Sequence, residues 1–343
     1  MKNKILLYLR MIKWHRILHA FSILKKEGIG GIKYHFYLVK DKEKGLEQNG
    51  GREYDVSPVI EMEDYPILVF EESIKPMVSI IIPVYNQFAY TYHCLKHINK
   101  YMDHIPCEVI IGDDCSFDKT TELEKIVKGA KIIHNKVNCQ FVKNCNRMGD
   151  DAKGKYLLFL NNDTQVQHGW LSALIELMES DRSVGLSGSK LVYPNGLLQE
   201  AGGIVWRDAT VLQFGNNRRP GESEVNIRRE TDYISGASMI IRKELWNEIG
   251  GFDERFSPAY YEDVDLAFEV RERGYKVVYQ PESEVIHFEG ISEKMDEDTE
   301  ARINENREKF FMKWKKTLES RHYESKQYME IVRTIKADGP PVN

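Results

Sequence analysis

The hydrophobic pattern along the chain changes near residue 77. Beyond that point, short runs of β-branched and apolar residues alternate with segments that repeat apolar residues at helical spacing. This alternation is typical of βαβ units built around a parallel sheet, so we expect an α/β fold. In the first half, strands are predicted at Val78–Val84, 108–112, Lys131–His134 and Tyr156–Leu160, and helices at 90–101 and 142–152.

The second half has a more mixed pattern. A turn is predicted at 194–196, where Pro, Asn and Gly follow one another, and a helix stop at Gly250-Gly251. The predicted strands are 184–187, 190–193, 233–241, 276–279 and 284–287, and the predicted helices are Lys243–Ile249, 262–273 and a charged helix at 298–318.

The first 44 residues differ from the rest in charge. They hold eleven Lys/Arg and three Asp/Glu, a net charge of +8, whereas the whole chain carries −5 and the remainder therefore −13. An acidic body argues against nucleic acid as the principal partner. Residues 1–40 have the pattern of a basic amphipathic helix with interleaved aromatic residues. Such a helix either lies on an anionic membrane surface or packs on the folded domain, and the sequence leaves both interpretations open.

Composition places the chain among globular proteins. It has 343 residues, of which 42% are hydrophobic and 29% charged. The five cysteines are scattered without a C-x-x-C pair, which favours a reducing, cytoplasmic location over a disulfide scaffold. The longest uncharged stretch, 77–95, contains Pro83, Asn86 and Gln87, so it is not predicted to span a membrane.

Two of the predicted strands end in carboxylates or carboxamides. Asp113 and Asp114 follow the second strand, and Asn161, Asn162 and Asp163 follow the strand at 156–160. Ligands of open parallel sheets bind beyond the carboxyl ends of the strands, so both groups are expected to face one crevice. Each group alone is also ordinary turn and capping chemistry. The chain has no G-x-G-x-x-G or Walker A sequence beside the sheet, which disfavours dinucleotide dehydrogenases and P-loop enzymes.

Seven short motifs follow one another along the chain. They are 78–86 (VSIIIPVYN), 110–116 (IIGDDCS), 158–164 (LFLNNDT), 235–237 (SGA), 250–254 (GGFDE), 261–266 (YEDVDL) and 281–287 (PESEVIH). Together they resemble family 2 glycosyltransferases of the GT-A fold, in particular the rhamnosyltransferase-like members that build bacterial surface polysaccharides. The resemblance covers about residues 77–315.

The resemblance implies a GT-A type sheet domain with flanking helices, to which the charge pattern of the first 44 residues adds a basic helical leader. The expected division is a leader at 1–44, a connector at 45–76, a catalytic domain at 77–290 and a C-terminal helical segment at 291–343. Within the catalytic domain, residues 77–165 form the nucleotide-binding half and residues 166–290 the acceptor half.

On the donor side, the resemblance implies a nucleotide-sugar site. Asp113 or Asp114 would accept the N3–H of a pyrimidine base, and the other acid would bind ribose. A divalent cation, Mn²⁺ or Mg²⁺, would offset the charge of the diphosphate, with Asp163 and His287 as its protein ligands. The remaining residues expected to line this site are Pro83, Tyr85, Asn86, Asn161 and Asn162.

On the acceptor side, the resemblance implies that Asp263 is the general base and that Glu262 orients the acceptor. Acids at a helix start are also favoured by the helix dipole alone. Trp206, Trp246 and Tyr260 are candidates for stacking on acceptor sugars, although each is equally compatible with a place in the core.

The function expected is transfer of a sugar from a UDP- or dTDP-sugar to a hydroxyl of a glycan or lipid-linked acceptor, with inversion, at the cytoplasmic face of the membrane. Two alternatives stay open. A nucleotidyltransferase would release pyrophosphate instead of a nucleoside diphosphate, and a non-catalytic glycan-binding scaffold would release neither.

Overall fold

A ten-stranded mixed sheet forms the centre of the fold in the computed structural model. The structure describes residues 53–291 and 296–324. The predicted leader at 1–44, its proposed membrane contact through 1–40, and the ends of the predicted connector and C-terminal segment lie outside the described residues.

The strands and helices follow one another as the alternating pattern predicts. The strands are β1 Leu68–Val69, β2 Val78–Val84, β3 Cys107–Asp113, β4 Val127–Lys128, β5 Lys131–His134, β6 Tyr156–Leu160, β7 Thr164–Val166, β8 Val184–Val192, β9 Leu198–Glu200, β10 Gly203–Val205, β11 Val211–Gln213, β12 Arg229–Glu230, β13 Ser238–Arg242 and β14 Lys276–His287. The α-helices are α1 Phe88–Lys100, α2 Leu123–Ile126, α3 Gln140–Asp151, α4 Trp170–Ser180, α5 Lys243–Ile249, α6 Glu262–Glu272 and α7 Glu297–Arg321.

The sheet is mixed, whereas the sequence pattern predicted a parallel one. Its main order is β12-β14-β8-β13-β6-β2-β3-β5. The strands β6, β2, β3 and β5 are parallel neighbours, as are β8 and β14. β13 lies antiparallel between β6 and β8 and joins the two parallel groups. The α/β class is therefore confirmed, with one antiparallel strand at its centre.

Both faces of the sheet are buried. Along β2, Ile80 packs into one hydrophobic core and Ile81 into the other, and both side chains are fully buried. A strand covered on both sides has no polar face, which explains the continuous apolar run that identified it in the sequence.

Five predicted strands differ from the structure. The pairs 184–187 with 190–193 and 276–279 with 284–287 are single strands, β8 and β14. The predicted strand 233–241 is a strand only from Ser238 onward, because residues 235–238 form a turn closed by Ser238 N donating to Ser235 O at 3.3 Å. This turn packs closely on β8, where a Cβ on Gly188 would lie 1.9 Å from Ile234 Cγ2.

The C-terminal helix α7 packs against α6. Phe310 and Trp314 contact the Phe268 ring, with centroids 4.9 and 5.4 Å away. Lys313 forms ion pairs with Asp265 at 2.8 Å and with two further acids, Asp253 and Glu269. Helix α7 therefore supports α6, the helix that begins with the acid pair Glu262 and Asp263.

The described part of the predicted connector, 53–76, lies against the domain. Asp55 N and Ser57 N donate to Gln167 and Gln165 at 2.8 Å, and β1 pairs with β4. None of the helices within 53–291 and 296–324 combines the length and the apolar character needed to cross a bilayer.

Candidate active site

The ends of β2 and β3 are joined by hydrogen bonds, and this places the donor-side residues together. Asp114 N donates to Val84 O at 2.8 Å, and Asn86 N donates to Ser116 Oγ at 2.7 Å. Tyr85 is 41% exposed, and its ring meets that of Phe117 edge to face at 6.3 Å. The sequence interpretation did not select Phe117, although it directly follows the 110–116 motif and is 81% exposed.

Pro83 is buried within β2, one residue before the strand ends. Its place in the nucleotide-sugar site stays a prediction.

The two acids after β3 both have protein partners. Asp113 Oδ2 lies 2.6 Å from His134 Nδ1, and its Oδ1 accepts from Ser116 N at 3.0 Å. Asp114 accepts from Cys139 N at 2.7 Å, Gln140 N at 2.6 Å and Asn135 Nδ2 at 2.8 Å. Asp114 therefore holds the start of α3, and base recognition by either acid stays a prediction.

The three residues after β6 have different environments. Asn161 is half-buried, and its backbone N donates to Ala237 O at 3.0 Å. Asn162 is buried, and its Nδ2 donates to Thr91 Oγ1 at 2.9 Å. Asp163 is 7% exposed, and its carbonyl accepts from Phe288 N at 3.0 Å. Only Asp163 contributes a carboxylate here.

Asp163 and His287 are brought together, although 123 residues separate them in the chain. His287 Nε2 lies 3.3 Å from Asp163 Oδ1. His287 Nδ1 lies 3.0 Å from Gln199 Oε1, an acceptor, so Nδ1 carries a proton and Nε2 is the ring nitrogen that faces the Asp163 carboxylate. Burial lowers the pKa of His287, but the Asp163 carboxylate outweighs burial and the pKa is raised.

These two side chains fit a divalent cation, since a carboxylate oxygen and an imidazole nitrogen face each other with the tautomer that ligation requires. Within the part of the chain that the structure describes, no third His, Cys, Asp or Glu joins them in a ligand cluster. A cation there would need further oxygen ligands, of the kind a diphosphate supplies.

The acid pair opens α6. Asp263 is half-buried and accepts from Gly236 N at 2.9 Å and Val264 N at 2.8 Å. Glu262 is 6% exposed, and its Oε2 has no hydrogen-bond partner within the described part of the chain. Burial raises the pKa of Asp263; burial and then the Asp263 charge raise the pKa of Glu262 well above its usual range. Buried acids with raised pKa values are typical of proton-transfer sites.

The backbone before the acid pair adopts an uncommon conformation. Tyr260 and Tyr261 have φ values of +78° and +73°, in the left-handed region that bulky residues rarely adopt. Asn306 of α7 stabilises it, because its Nδ2 donates to Phe256 O, Ala259 O and Tyr260 O at 2.9–3.0 Å. The C-terminal helix thus shapes the loop that orients Asp263.

Backbone hydrogen bonds link the acid pair to the Asp163–His287 pair. Gly236 N donates to Asp263, and one residue on, Ala237 O accepts from Asn161 N. Phe288, which follows His287, donates to Asp163 O. The candidate base and the candidate metal ligands therefore lie on adjoining segments at one edge of the sheet.

Two of the three aromatic predictions are wrong. Trp246 is 1% exposed and packs against Phe159 and Phe252, with centroids 4.7 and 5.1 Å away. Trp206 is 5% exposed in the same core. Neither indole has an open face for a sugar. Tyr260 is half-buried beside the acid pair, and its role stays a prediction.

The sequence interpretation also missed Gln199, Glu200, Asn306 and Lys313. The first two form a polar pair inside an otherwise apolar run at 197–205, and this pattern could have marked them as candidate functional residues. The two in α7 resemble any polar residues of a charged helix, so only their contacts reveal them.

Comparison with solved structures identifies the fold class. A crystal structure of GalNAc-T7 with UDP, GalNAc and Mn²⁺ superposes with a TM-score of 0.55 at 15% identity, covering 79% of this chain and 59% of that one. The described residues thus have an α/β mixed sheet with flanking helices of the GT-A-like kind.

The family follows from the sequence. The profile of Glycosyl transferase family 2 matches residues 79–250, half of the chain. The chain therefore belongs to Glycosyl transferase family 2.

Several curated proteins are similar to parts of the chain. An uncharacterized protein y4gI of Sinorhizobium fredii is 26% identical over 70% of this chain and 28% of its own length. The O-antigen biosynthesis protein RfbC of Myxococcus xanthus is 35% identical over 44% of this chain and 12% of its own length. The N-acetylglucosaminyl-diphospho-decaprenol L-rhamnosyltransferase of Mycobacterium tuberculosis is 24% identical, covering 63% of this chain and 78% of that protein. This chain thus spans less than a third of the first two relatives.

Proposed function

We propose that this glycosyltransferase moves a sugar from a UDP- or dTDP-sugar to a hydroxyl of a glycan or lipid-linked acceptor during surface polysaccharide biosynthesis, with inversion at the anomeric carbon. The observation that carries the proposal is the link between Asp263 and the Asp163–His287 pair through the 235–237 turn. This link supports the proposal of a general base beside a pair of residues suited to the donor's diphosphate.

Asp263 is the proposed base. As the acceptor oxygen bonds to the anomeric carbon, its proton passes to an Asp263 oxygen, and the bond between that carbon and the diphosphate breaks. The Gly236 and Val264 amides hold the carboxylate in one orientation for this step. Glu262, with a buried free oxygen, orients the acceptor.

Asp163 and His287 are the proposed ligands of a Mn²⁺ or Mg²⁺ ion. The ion, when bound, offsets negative charge on the departing diphosphate. Gln199 orients the His287 ring for this role, because its Oε1 accepts a hydrogen bond from Nδ1–H. The exposed Tyr85 and Phe117 rings are the proposed contacts of base and ribose, together with Asp113 and with Asn86, whose Oδ1 accepts from Phe117 N.

The relatives support the acceptor class. The mycobacterial relative carries the name of an enzyme acting on a lipid diphosphate-linked sugar, and the Myxococcus relative that of an O-antigen biosynthesis protein. We infer a cytoplasmic location, with the basic residues 1–40 as the contact to the inner face of the membrane. Retention of the full chain on anionic vesicles, falling as salt rises, tests this contact.

The donor proposal is tested by thermal shift with a panel of nucleotide sugars, each with Mn²⁺ or EDTA, followed by analysis of the products. We expect UDP- or dTDP-sugars to stabilise the protein with Mn²⁺, GDP-sugars to do so less, and turnover to release a nucleoside diphosphate. Release of pyrophosphate would instead identify a nucleotidyltransferase. Absence of both stabilisation and product would indicate a non-catalytic protein.

A further inference from the structure

Glu200, at the end of β9, is held by the same turn that holds Asp263. Its Oε1 accepts from Ser235 N at 3.2 Å, and the next amide, Gly236 N, donates to Asp263 Oδ2 at 2.9 Å. Two successive amides of one turn thus bind two carboxyl groups. A change in the charge or position of Glu200 is therefore transmitted directly to the group proposed as the base.

The second oxygen of Glu200 is buried and has no partner among the residues that the structure describes. The side chain is 2% exposed, and none of these residues forms a hydrogen bond with Oε2. Within residues 53–291 and 296–324, no Lys, Arg or His pairs with it. The titratable groups that face Glu200 are all acids: Asp263 on α6, Glu289 after β14, Tyr193 after β8, Tyr233 before the turn and Tyr279 on β14.

An anion in this position lacks the partners that buried charges require. A neutral carboxylic acid avoids that cost and can still accept the Ser235 hydrogen bond through its carbonyl oxygen. In keeping with this, burial and then the Asp263 charge raise the pKa of Glu200 to about 8.

We propose that Glu200 is a positioning residue that stays protonated at neutral pH, so that it holds the Ser235–Gly236 turn while leaving Asp263 as a singly charged base. The proposal rests on the proposed role of Asp263. Ionisation of Glu200 at alkaline pH would place a second negative charge beside the base and oppose the negative charge that develops during transfer.

The first test measures stability and needs no substrate. The folded state keeps a proton on Glu200 that the unfolded state releases above the ordinary pKa of 4.5, so folding stability falls as pH rises from there to about 8. Glu200→Gln, an uncharged analogue, removes this dependence. We expect the melting temperature of Glu200→Gln, relative to wild type, to rise between pH 5 and 8 and then to level off. The exposed Glu176→Gln serves as control and should show a constant difference. A constant difference for Glu200→Gln would overturn the proposal.

The second test measures turnover. At pH 7, Glu200→Gln should keep turnover within about threefold of wild type, whereas Glu200→Ala, which loses the Ser235 acceptor, should lose more than about tenfold. Wild-type kcat/KM should fall above pH 8, and that of Glu200→Gln should not. Loss of activity in Glu200→Gln at pH 7, or an unchanged alkaline decline, would contradict the proposal. Failure of the base assignment is read separately, from an active Asp263→Asn variant, and leaves the stability test valid.

Discussion

Replacement of Asp263 by Asn is the sharpest test of the proposed chemistry. The amide has nearly the same size as the carboxylate but cannot take up the acceptor proton at neutral pH. Because Asp263 lies on α6, on the far side of the 235–237 turn from Asp163 and His287, donor binding should be retained. Turnover should fall by roughly 10²–10⁴-fold.

The expected fall in turnover of Asp263→Asn can be distinguished from a fall in its folding stability. Asp263 accepts from Gly236 N on one oxygen and Val264 N on the other, whereas Asn has a single oxygen. One backbone N–H therefore loses its acceptor, which lowers the free energy of unfolding by about 1–3 kcal/mol. The expected rate loss corresponds to roughly 3–5 kcal/mol in the activation barrier. A large kinetic effect with a modest fall in melting temperature is therefore predicted.

The assay combines nucleoside diphosphate release in the presence of acceptor with calorimetric titration of the donor. Glu262→Gln is the matched control, because it changes the neighbouring acid to an amide and should cost less turnover. Near-normal turnover of Asp263→Asn, or a donor affinity that falls as far as turnover does, would refute the assignment of Asp263 as the base.

Three further predictions concern the surroundings of the site. His287→Ala should weaken donor binding in the presence of Mn²⁺ but not in EDTA, whereas replacement of the exposed His168 by Ala should not change donor binding. The increase in donor affinity that Mn²⁺ produces should be lost as the pH falls through the raised pKa of His287, and titrations of the donor at several pH values measure this. Lys313→Met leaves the buried Asp265 without its cation, whereas Asp253 and Glu269 keep Arg255 and Arg273. It should lower the free energy of unfolding in urea by about 3–5 kcal/mol at pH 8. The loss should shrink at pH 5, because burial raises the pKa of Asp265 to about 6 and protonation removes its charge; an equal loss at both pH values would contradict this. Trp246→Ala should lower stability by about 3–5 kcal/mol and leave the acceptor KM unchanged, whereas a raised KM would restore its role as a stacking residue.

The sequence alone determined the features that depend on local pattern. The strand Val78–Val84 was predicted at its observed bounds because burial on both faces leaves a continuous β-branched run. The helix Lys243–Ile249 was likewise predicted, because Gly250 supplies the left-handed C-cap at φ +91°. The family followed from seven short motifs, each of which is a local stretch of chain.

Only the tertiary structure decided what depends on residues distant in sequence. An indole in a short amphipathic segment is compatible with a surface or a core, and the Phe159 and Phe252 contacts alone place Trp246 in the core. The antiparallel insertion of β13 depends on where the preceding turn directs the chain. Glu200 was not selected because its importance lies in sharing one turn with a carboxyl group 63 residues further on. The burial and electrostatic coupling of such groups exist only once the chain has folded.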